Sequence, residues 1–196
     1  MSTVTSPSKS AQTRTRILDA AASLFRQVGY GAASLRDIAQ KADMQAGSLY
    51  YHFDSKDELA EAVMLAGVEG SDAAVRGAVA ALSPDASVLD RLEAAFEAHL
   101  TFLLSRSDYA VAMLRMLHQT PNSIQQRTLE RQRDFGRFFG ELFEMAKKEG
   151  VIKPALDLSA LRMLIFGAMN WAPEWYSDSG LTPSDLAAQL RLLIES

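Results

Sequence analysis

Four short segments of one form, a Ser or Thr followed three residues later by Asp or Glu, recur at residues 34–37, 55–58, 87–90 and 182–185. The form is that of a capping box, in which hydroxyl and carboxylate each accept a hydrogen bond from a backbone N–H that the first turn of a helix leaves unpaired. No run of β-branched residues alternates with period two for long enough to predict a strand. The sequence therefore predicts an all-α fold.

The spacing of apolar residues extends these starts into a series of helices. The first is expected at about residues 10–28, stopped by Gly29, after a polar tail at residues 1–9 that is expected to be disordered. Two short helices joined by a tight turn follow and form a helix-turn-helix. We therefore expect a helix-turn-helix domain at residues 10–56 and a larger helical domain at residues 57–196. The later helices are predicted at about residues 34–42, 45–52, 55–82, 87–105, 107–118, 122–149, 157–176 and 182–195.

Charge is unevenly distributed along the chain. The net charge is −4, but residues 1–56 carry seven Lys or Arg against four Asp, a net +3, while the remainder carries 13 basic and 20 acidic groups, a net −7. A basic head on an acidic body is expected if only the head meets nucleic-acid phosphate.

Cysteine content and hydrophobicity exclude other classes. The 196 residues contain no cysteine, which excludes disulfides and thiolate metal sites. The start of the chain lacks the apolar core of a signal peptide, and the longest apolar stretch, residues 158–175, contains Arg162 and Asn170. A cytoplasmic protein without membrane contact is expected.

The segment AGSLYYHFDSKDEL at residues 46–59 contains small residues, then aromatic ones, then charged ones. Gln45, just before it, can pair bidentately with adenine, and Ala46 can contact a thymine methyl. The small residues Gly47 and Ser48 allow close approach to the DNA backbone. The candidate DNA-contacting residues are Ser34, Arg36, Gln45, Ala46, Gly47, Ser48, Tyr50, Tyr51, His52 and Lys56.

The aromatic residues of this segment cannot all face one way. Tyr50 and Tyr51 point about 100° apart on a helix, so one is expected to pack and the other to offer its hydroxyl to phosphate. Phe53 is expected to pack inward with Leu49. Lys56 lies in the first turn of the next helix, where the helix dipole disfavours a cation, which suggests that it serves phosphate instead.

A first helix ending in Gly29, the string LRDIAQKADMQAGSLYYHFDSKDEL and a wholly helical remainder resemble the TetR family of transcriptional regulators, with a match over about residues 13–60. The resemblance implies a dimeric, all-helical, ligand-responsive DNA-binding protein, most often a repressor. It also makes Tyr51 and His52 the better phosphate candidates. Two residues depart from the family pattern. Asp43 stands where a Gly is usual, and Gln45 stands where Ser or Thr often caps the recognition helix.

The string GAMNWAPEWYSDSG at residues 167–180, preceded by an Arg-rich aromatic helix, is similar to one TetR subgroup over about residues 125–190. Members of that subgroup control fatty-acid or steroid degradation and sense acyl-coenzyme A thioesters. They commonly have Tyr where this chain has Phe135. The resemblance therefore implies an effector site in the larger domain.

An acyl chain needs an apolar tunnel, and the coenzyme A phosphates need fixed cations. Arg127, Arg131 and Arg133 are close enough in sequence to cluster. Phe and Met residues at helical spacing are core more often than pocket, and the two Trp residues can instead hold a dimer interface. The candidate ligand-binding residues are Phe96, Met113, Met116, Arg127, Arg131, Phe135, Phe138, Phe139, Asn170, Trp171 and Trp175.

His99 and His118 each stand alone in the sequence, with no second metal ligand three or four residues away and no Ser or carboxylate partner at a motif spacing. We therefore expect no metal site, no cofactor and no enzymatic activity. The sequence predicts a homodimeric repressor that is released from a palindromic DNA operator by a small hydrophobic effector such as an acyl-coenzyme A thioester. The alternative is a helical small-molecule carrier or acyl-thioester enzyme with a vestigial DNA-binding head.

Overall fold

The computed structural model describes residues 8–105, 108–177 and 180–195. The expected tail at residues 1–9 lies outside this part of the chain, except that Ser8 caps the first helix and Lys9 begins it. No described residue belongs to a strand, which confirms the all-α fold. The helices are α1 (Lys9–Ala32), α2 (Leu35–Lys41), α3 (Ala46–Tyr50), α4 (Lys56–Ala80), α5 (Val88–Leu104), α6 (Asp108–Met116), α7 (Asn122–Lys148), α8 (Leu158–Trp175) and α9 (Pro183–Ile194).

The four predicted capping boxes all start helices, but only two are complete. At residues 87–90 and 182–185 both reciprocal hydrogen bonds form. At residues 34–37 and 55–58 the cap hydroxyl accepts the expected backbone N–H. In the first of these boxes the Asp37 carboxylate accepts from the Ser34 hydroxyl. In the second, the Glu58 carboxylate accepts from the backbone N–H of Asp54, the residue before the cap.

Backbone geometry in the head follows its unusual residues. Gly29 has φ 77°, so the helical path is interrupted there, although helical turns resume as far as the end of α1. Asp43 has φ 52°, the left-handed conformation that Gly adopts more readily. Gln45 is the N-cap of α3 and makes no side-chain capping bond, in keeping with its poor capping ability.

Two apolar cores hold the helices together, and α4 passes through both. The first core joins the head, α1–α3, to α6 and to the early part of α4, including Met64 and Val68. The second joins α5, α7, α8 and α9 to the later part of α4, including Val75 and Val79. Because the head packs on α4 and α6, movement of either helix must move the head. The domain boundary after residue 56 stays a prediction.

Candidate functional site

The turn at residues 45–53, which holds α3 and most of the candidate DNA-contacting residues, presents most of those side chains to solvent. Tyr51 is 84% exposed and Tyr50 is 54% exposed, so the expectation that one of them packs is wrong. The inward positions of this turn are filled by Leu49 and Phe53, which are 0% and 1% exposed, as predicted. Residues 45–48 are also exposed. The structure thus leaves both tyrosine hydroxyls on the outer surface of the head.

The other head candidates lie beside this segment. The rings of Tyr51 and His52 meet edge to face, with centroids 5.3 Å apart. Arg36, Gln45 and Ala46 line one shallow groove between α2 and α3, and Ser34 caps α2. Contact of these residues with DNA stays a prediction.

Lys56 has partners within the protein that the sequence did not suggest. Its Nζ donates hydrogen bonds to the carbonyl oxygens of Tyr30, at 3.0 Å, and Ala33, at 3.2 Å. It also lies 4.3 Å from the centroid of the Tyr30 ring. The carbonyls at the end of α1 lack helical partners, so a cation there is favourable. Lys56 therefore fastens α4 to the end of α1, while its role at a phosphate stays a prediction.

A cavity of about 560 Å³, open on one side to solvent, lies among α4, α5, α6, α7 and α8. Three of the candidate ligand-binding residues line it, namely Met113, Phe135 and Asn170. The size is in the range of small-molecule sites. The remaining lining residues are Gly67, Val68, Ser71, His99, Leu103, Ala110, Leu129, Gln132, Arg133, Gly136, Arg137, Arg162, Met163 and Phe166.

Several aromatic and Met candidates do not line the cavity. Phe96 and Phe139 stack in the second core, with centroids 6.1 Å apart. Met116 is buried in the first core. Phe138 lies under the guanidinium of Arg76, 4.5 Å from its ring centroid. Helical spacing predicts that such residues face inward, but not whether a core or a cavity lies there. Contact of these residues with a ligand stays a prediction.

Arg127 and Arg131 point away from the cavity. Arg127 pairs with Glu61 at 2.7 Å and Arg131 with Glu69 at 3.1 Å. Their spacing of four residues puts both on one side of α7, along the edge that faces α4. In the structure these two arginines are paired with carboxylates of α4, and their contact with a ligand stays a prediction.

A different set of cations borders the cavity. Arg133 and Arg137 are exposed on α7. Arg162 crosses from α8 and donates a hydrogen bond from its guanidinium to the carbonyl of Gly136 at 3.1 Å. A Cβ at Gly136 or Gly140 would lie 3.5 or 3.8 Å from this guanidinium, so the two glycines mark where it lies against α7. The i, i+4 glycine pair was the sequence signal for this close approach.

A buried chain of hydrogen bonds, Ser71–His99–Asn170, forms part of the cavity wall and is called the relay below. The Ser71 hydroxyl lies 2.7 Å from His99 Nδ1, and His99 Nε2 lies 3.2 Å from Asn170 Oδ1. Burial lowers the pKa of His99 to about 4, against the smaller opposing effect of the Asn170 hydrogen bond. The imidazole is therefore neutral at pH 7. The sequence offers no Ser partner for His99 at a motif spacing, and the structure supplies one from another helix, 28 residues away.

Trp171 and Trp175 are 65% and 51% exposed and lie outside the cavity wall. They are two of several exposed apolar side chains on α8, on α9 and in the segment between these helices. Among the described residues, eleven large apolar side chains are exposed, and seven of these fall between positions 163 and 193. Such a concentration marks an interaction surface. The seven are Met163, Leu164, Trp171, Trp175, Leu181, Leu192 and Leu193.

Two other kinds of site were searched for in the described residues. No group of three or more His, Asp or Glu side chains there is placed to hold a metal ion. None of the described helices is long and apolar enough to cross a bilayer.

A helix-turn-helix head joined through α4 and α6 to a body with a cavity defines a ligand-responsive DNA-binding regulator. The sequence matches the family model described as "Bacterial regulatory proteins, tetR family" over residues 17–63. It also matches the one described as "Tetracyclin repressor-like, C-terminal domain" over residues 85–195. The chain belongs to the TetR family of transcriptional regulators, which confirms the resemblance, the fold class and the predicted function as a DNA-binding regulator.

Similar proteins include the transcriptional repressor KstR2 of Rhodococcus jostii RHA1, 28% identical over 182 residues that cover 92% of this chain and 88% of the relative. Among solved structures, the superantigen PfiT has a TM-score of 0.80 and 27% identity, covering 96% of this chain and 99% of that one. The complex of AibR with isovaleryl coenzyme A and operator DNA has a TM-score of 0.80 and 24% identity, covering 93% and 98%. At 24% identity, the similarity to AibR shows a shared fold only.

Proposed function

We propose that this protein is a homodimeric cytoplasmic repressor whose heads bind a palindromic operator and are released when an acyl-coenzyme A thioester enters the cavity. The observation that carries the proposal is that the cavity wall includes Gly67, Val68 and Ser71 of α4, the helix that begins at the head. KstR2 relatives support repression. AibR supports the view that this fold can hold a coenzyme A thioester and operator DNA.

Helix α6 gives the cavity a second connection to the head. Met113 lines the cavity and also packs in the first core. Asp108 pairs with Arg26 of α1 at 2.7 Å, and the Tyr109 hydroxyl donates to Asp19 at 2.6 Å. A ligand that displaces α6 therefore displaces α1. The ligand releases DNA only by the difference in its affinity for the two head positions.

The chemistry of the cavity fits a molecule with an apolar end and an anionic end. Its inner wall carries Phe135, Phe166 and Met113, while Arg133 and Arg137 lie at its exposed side. Arginine side chains bind phosphate bidentately. The acyl group would lie inside and the coenzyme A phosphates outside.

The exposed apolar side chains of α8 and α9 support pairing with a second copy. Leu164, Trp171 and Trp175 recur at spacings of seven and four on α8, and Leu192 and Leu193 extend the surface on α9. Two such surfaces would form a four-helix interface, as homodimers commonly do through one self-complementary patch.

The enzyme alternative rests on the Ser71–His99 contact of 2.7 Å. A catalytic pair needs a base with a pKa near the working pH and a group that stabilises the imidazolium. The pKa of His99 is lowered to about 4 by burial, and its other partner is the neutral Asn170. This supports binding rather than turnover. Thioester hydrolysis by the purified protein, abolished by Ser71→Ala, would favour the enzyme.

The DNA-binding part is tested by fluorescence anisotropy with a labelled fragment from upstream of the protein's own gene, over a range of salt concentrations. Tyr51→Phe removes one exposed hydroxyl and should weaken binding roughly two- to tenfold. Tyr176→Phe is the matched control, because its hydroxyl bonds the Leu181 carbonyl at 2.7 Å, away from the head. No specific binding at any salt concentration would refute operator recognition.

The effector is tested by thermal denaturation with rising concentrations of acyl-coenzyme A esters. A true effector raises the melting temperature progressively with concentration. The same esters should release the DNA fragment over the same concentration range. A flat response to every thioester, in protein that still binds DNA, would exclude this effector class and leave the DNA-binding function intact.

A further inference from the structure

The relay is a polar element in a largely apolar wall. Ser71 is 5% exposed and His99 is 4% exposed, and each comes from a different helix. The His99 ring lies 5.6 Å from the ring of Phe135 and 5.5 Å from that of Phe166, measured between centroids. All three relay residues line the cavity. A buried polar group in such surroundings is unfavourable unless it is fully hydrogen-bonded.

The relay has hydrogen-bonding capacity left over. A neutral imidazole has one donor and one acceptor nitrogen, and both already face relay partners. Asn170 uses one end of its amide on His99, and Ser71 uses one of its hydroxyl positions. Within the described part of the chain, neither has a further partner. In either tautomer of His99, the two ends of the relay therefore offer one donor and one acceptor to the cavity.

The charge of the relay restricts what it can bind. None of its three side chains is charged at pH 7, since burial keeps His99 neutral. A carboxylate or phosphate placed there would lose its water without gaining a cation. Of the cations that border the cavity, Arg133 and Arg137 lie at its exposed side, and Arg162 donates to the carbonyl of Gly136. An anionic end is thus directed outward, and a neutral polar group is favoured inside.

On the basis of the proposed effector cavity, we propose that the relay binds a neutral oxygen function, keto or hydroxyl, carried on the apolar part of the effector. The natural ligand is then an oxygenated acyl chain or ring, and a saturated hydrocarbon chain leaves the relay unsatisfied. Because Ser71 belongs to α4, the same bond connects recognition of the oxygen to the helix that carries the head.

The test uses the full-length protein and calorimetric titration with two matched pairs of thioesters. One pair is cyclohexanecarboxyl-coenzyme A and its 4-oxo derivative. The other is octanoyl-coenzyme A and its 7-oxo derivative, which places the carbonyl farther from the thioester. The oxo member of at least one pair should bind about three- to tenfold more tightly, the effect of one added hydrogen bond.

Ser71→Ala and Asn170→Ala separate recognition from folding. Each should bring the ratio of the affinities for the oxo and the plain member of a pair close to one, while leaving the affinity for the plain member unchanged or higher. A merely structural role would weaken both members equally, which would overturn the proposal. Gln132→Ala is the matched control, since Gln132 lines the cavity without belonging to the relay, and it should keep the preference.

The remaining outcomes are decisive for different claims. Equal or weaker binding of the oxo member in both pairs overturns the oxygen recognition and leaves the thioester effector standing. Failure of all four compounds to bind, in a preparation that still binds DNA, overturns both the oxygen recognition and the thioester effector. The DNA-binding function would survive either result.

Discussion

Gly67→Ala should show how tightly α4 and α6 are packed beside the cavity. A Cβ at Gly67 would lie 2.7 Å from the carbonyl oxygen and 3.1 Å from the carbonyl carbon of Tyr109. Ordinary contacts begin near 3.4 Å, so one helix must move by about 0.7 Å. Because the obstacle is backbone, no side-chain rotation relieves it. Overpacking of this kind costs about 1–3 kcal/mol.

Gly77→Ala is the matched control. Gly77 lies on the same helix, and nothing lies within 4 Å of its added Cβ. Replacing Gly by Ala inside a helix stabilises it by about 1 kcal/mol, and both variants gain that contribution. The difference between them therefore isolates the overpacking cost.

Urea and thermal unfolding followed by circular dichroism measure this difference. For an overpacking cost of about 2 kcal/mol, the melting temperatures of the two variants should differ by about 4–8 °C, with Gly67→Ala the lower. Equal changes in the melting temperatures of the two variants, in the same direction from the parent protein, would refute the close packing of α4 on α6.

Three further predictions concern His99, the dimer surface and Lys56. Burial lowers the pKa of His99 to about 4 in the folded protein, so as the pH falls the unfolded chain takes up the imidazole proton first, and the free energy of unfolding decreases by about 3 kcal/mol between about pH 6.5 and pH 4. His99→Gln should remove this decrease in urea unfolding measured across that range, and an unchanged pH dependence would contradict the buried neutral imidazole. Leu193→Asp should convert a dimer into monomers in analytical ultracentrifugation, whereas the control Val28→Asp, which changes an exposed apolar residue on α1, should not. A dimer in both variants would exclude the exposed apolar side chains of α8 and α9 as the dimer interface. Lys56→Met should lower the free energy of unfolding by about 1–3 kcal/mol because two hydrogen bonds to carbonyl oxygens are lost, and unchanged stability would contradict these contacts. If Lys56 also contacts a phosphate, the same variant should reduce the slope of log DNA affinity against log salt concentration by about one.

The helix starts could be predicted from the sequence because they depend on neighbours three residues apart. Ser87 and Thr182 cap their helices as expected. The left-handed conformation of Asp43 agrees with the Gly that the family resemblance gives as usual at that position. In the head, the inward packing of Leu49 and Phe53 follows from helical spacing alone.

The cavity could not be predicted in the same way because its parts come from distant positions. His99 finds Ser71 across 28 residues and Asn170 across 71. Arg162 reaches Gly136 across 26 residues. Periodicity predicts which side of a helix is buried, but the choice between core and cavity depends on how helices pack. The candidates Phe96 and Phe139 therefore fell in the core.

The proposed release of DNA requires that a ligand in the cavity move the heads of a dimer relative to each other. Since the chain has no cysteine, Gln27→Cys on the exposed side of α1 gives one labelling site per chain. Pulsed electron paramagnetic resonance between two spin labels measures the separation of the heads. With operator DNA the distribution should be narrow, because the reading helices must fit successive major grooves about 34–36 Å apart. Adding the thioester that stabilises the protein most should shift this distribution as DNA is released. An identical distribution with and without that thioester, at concentrations that release DNA, would contradict ligand-driven movement of the heads.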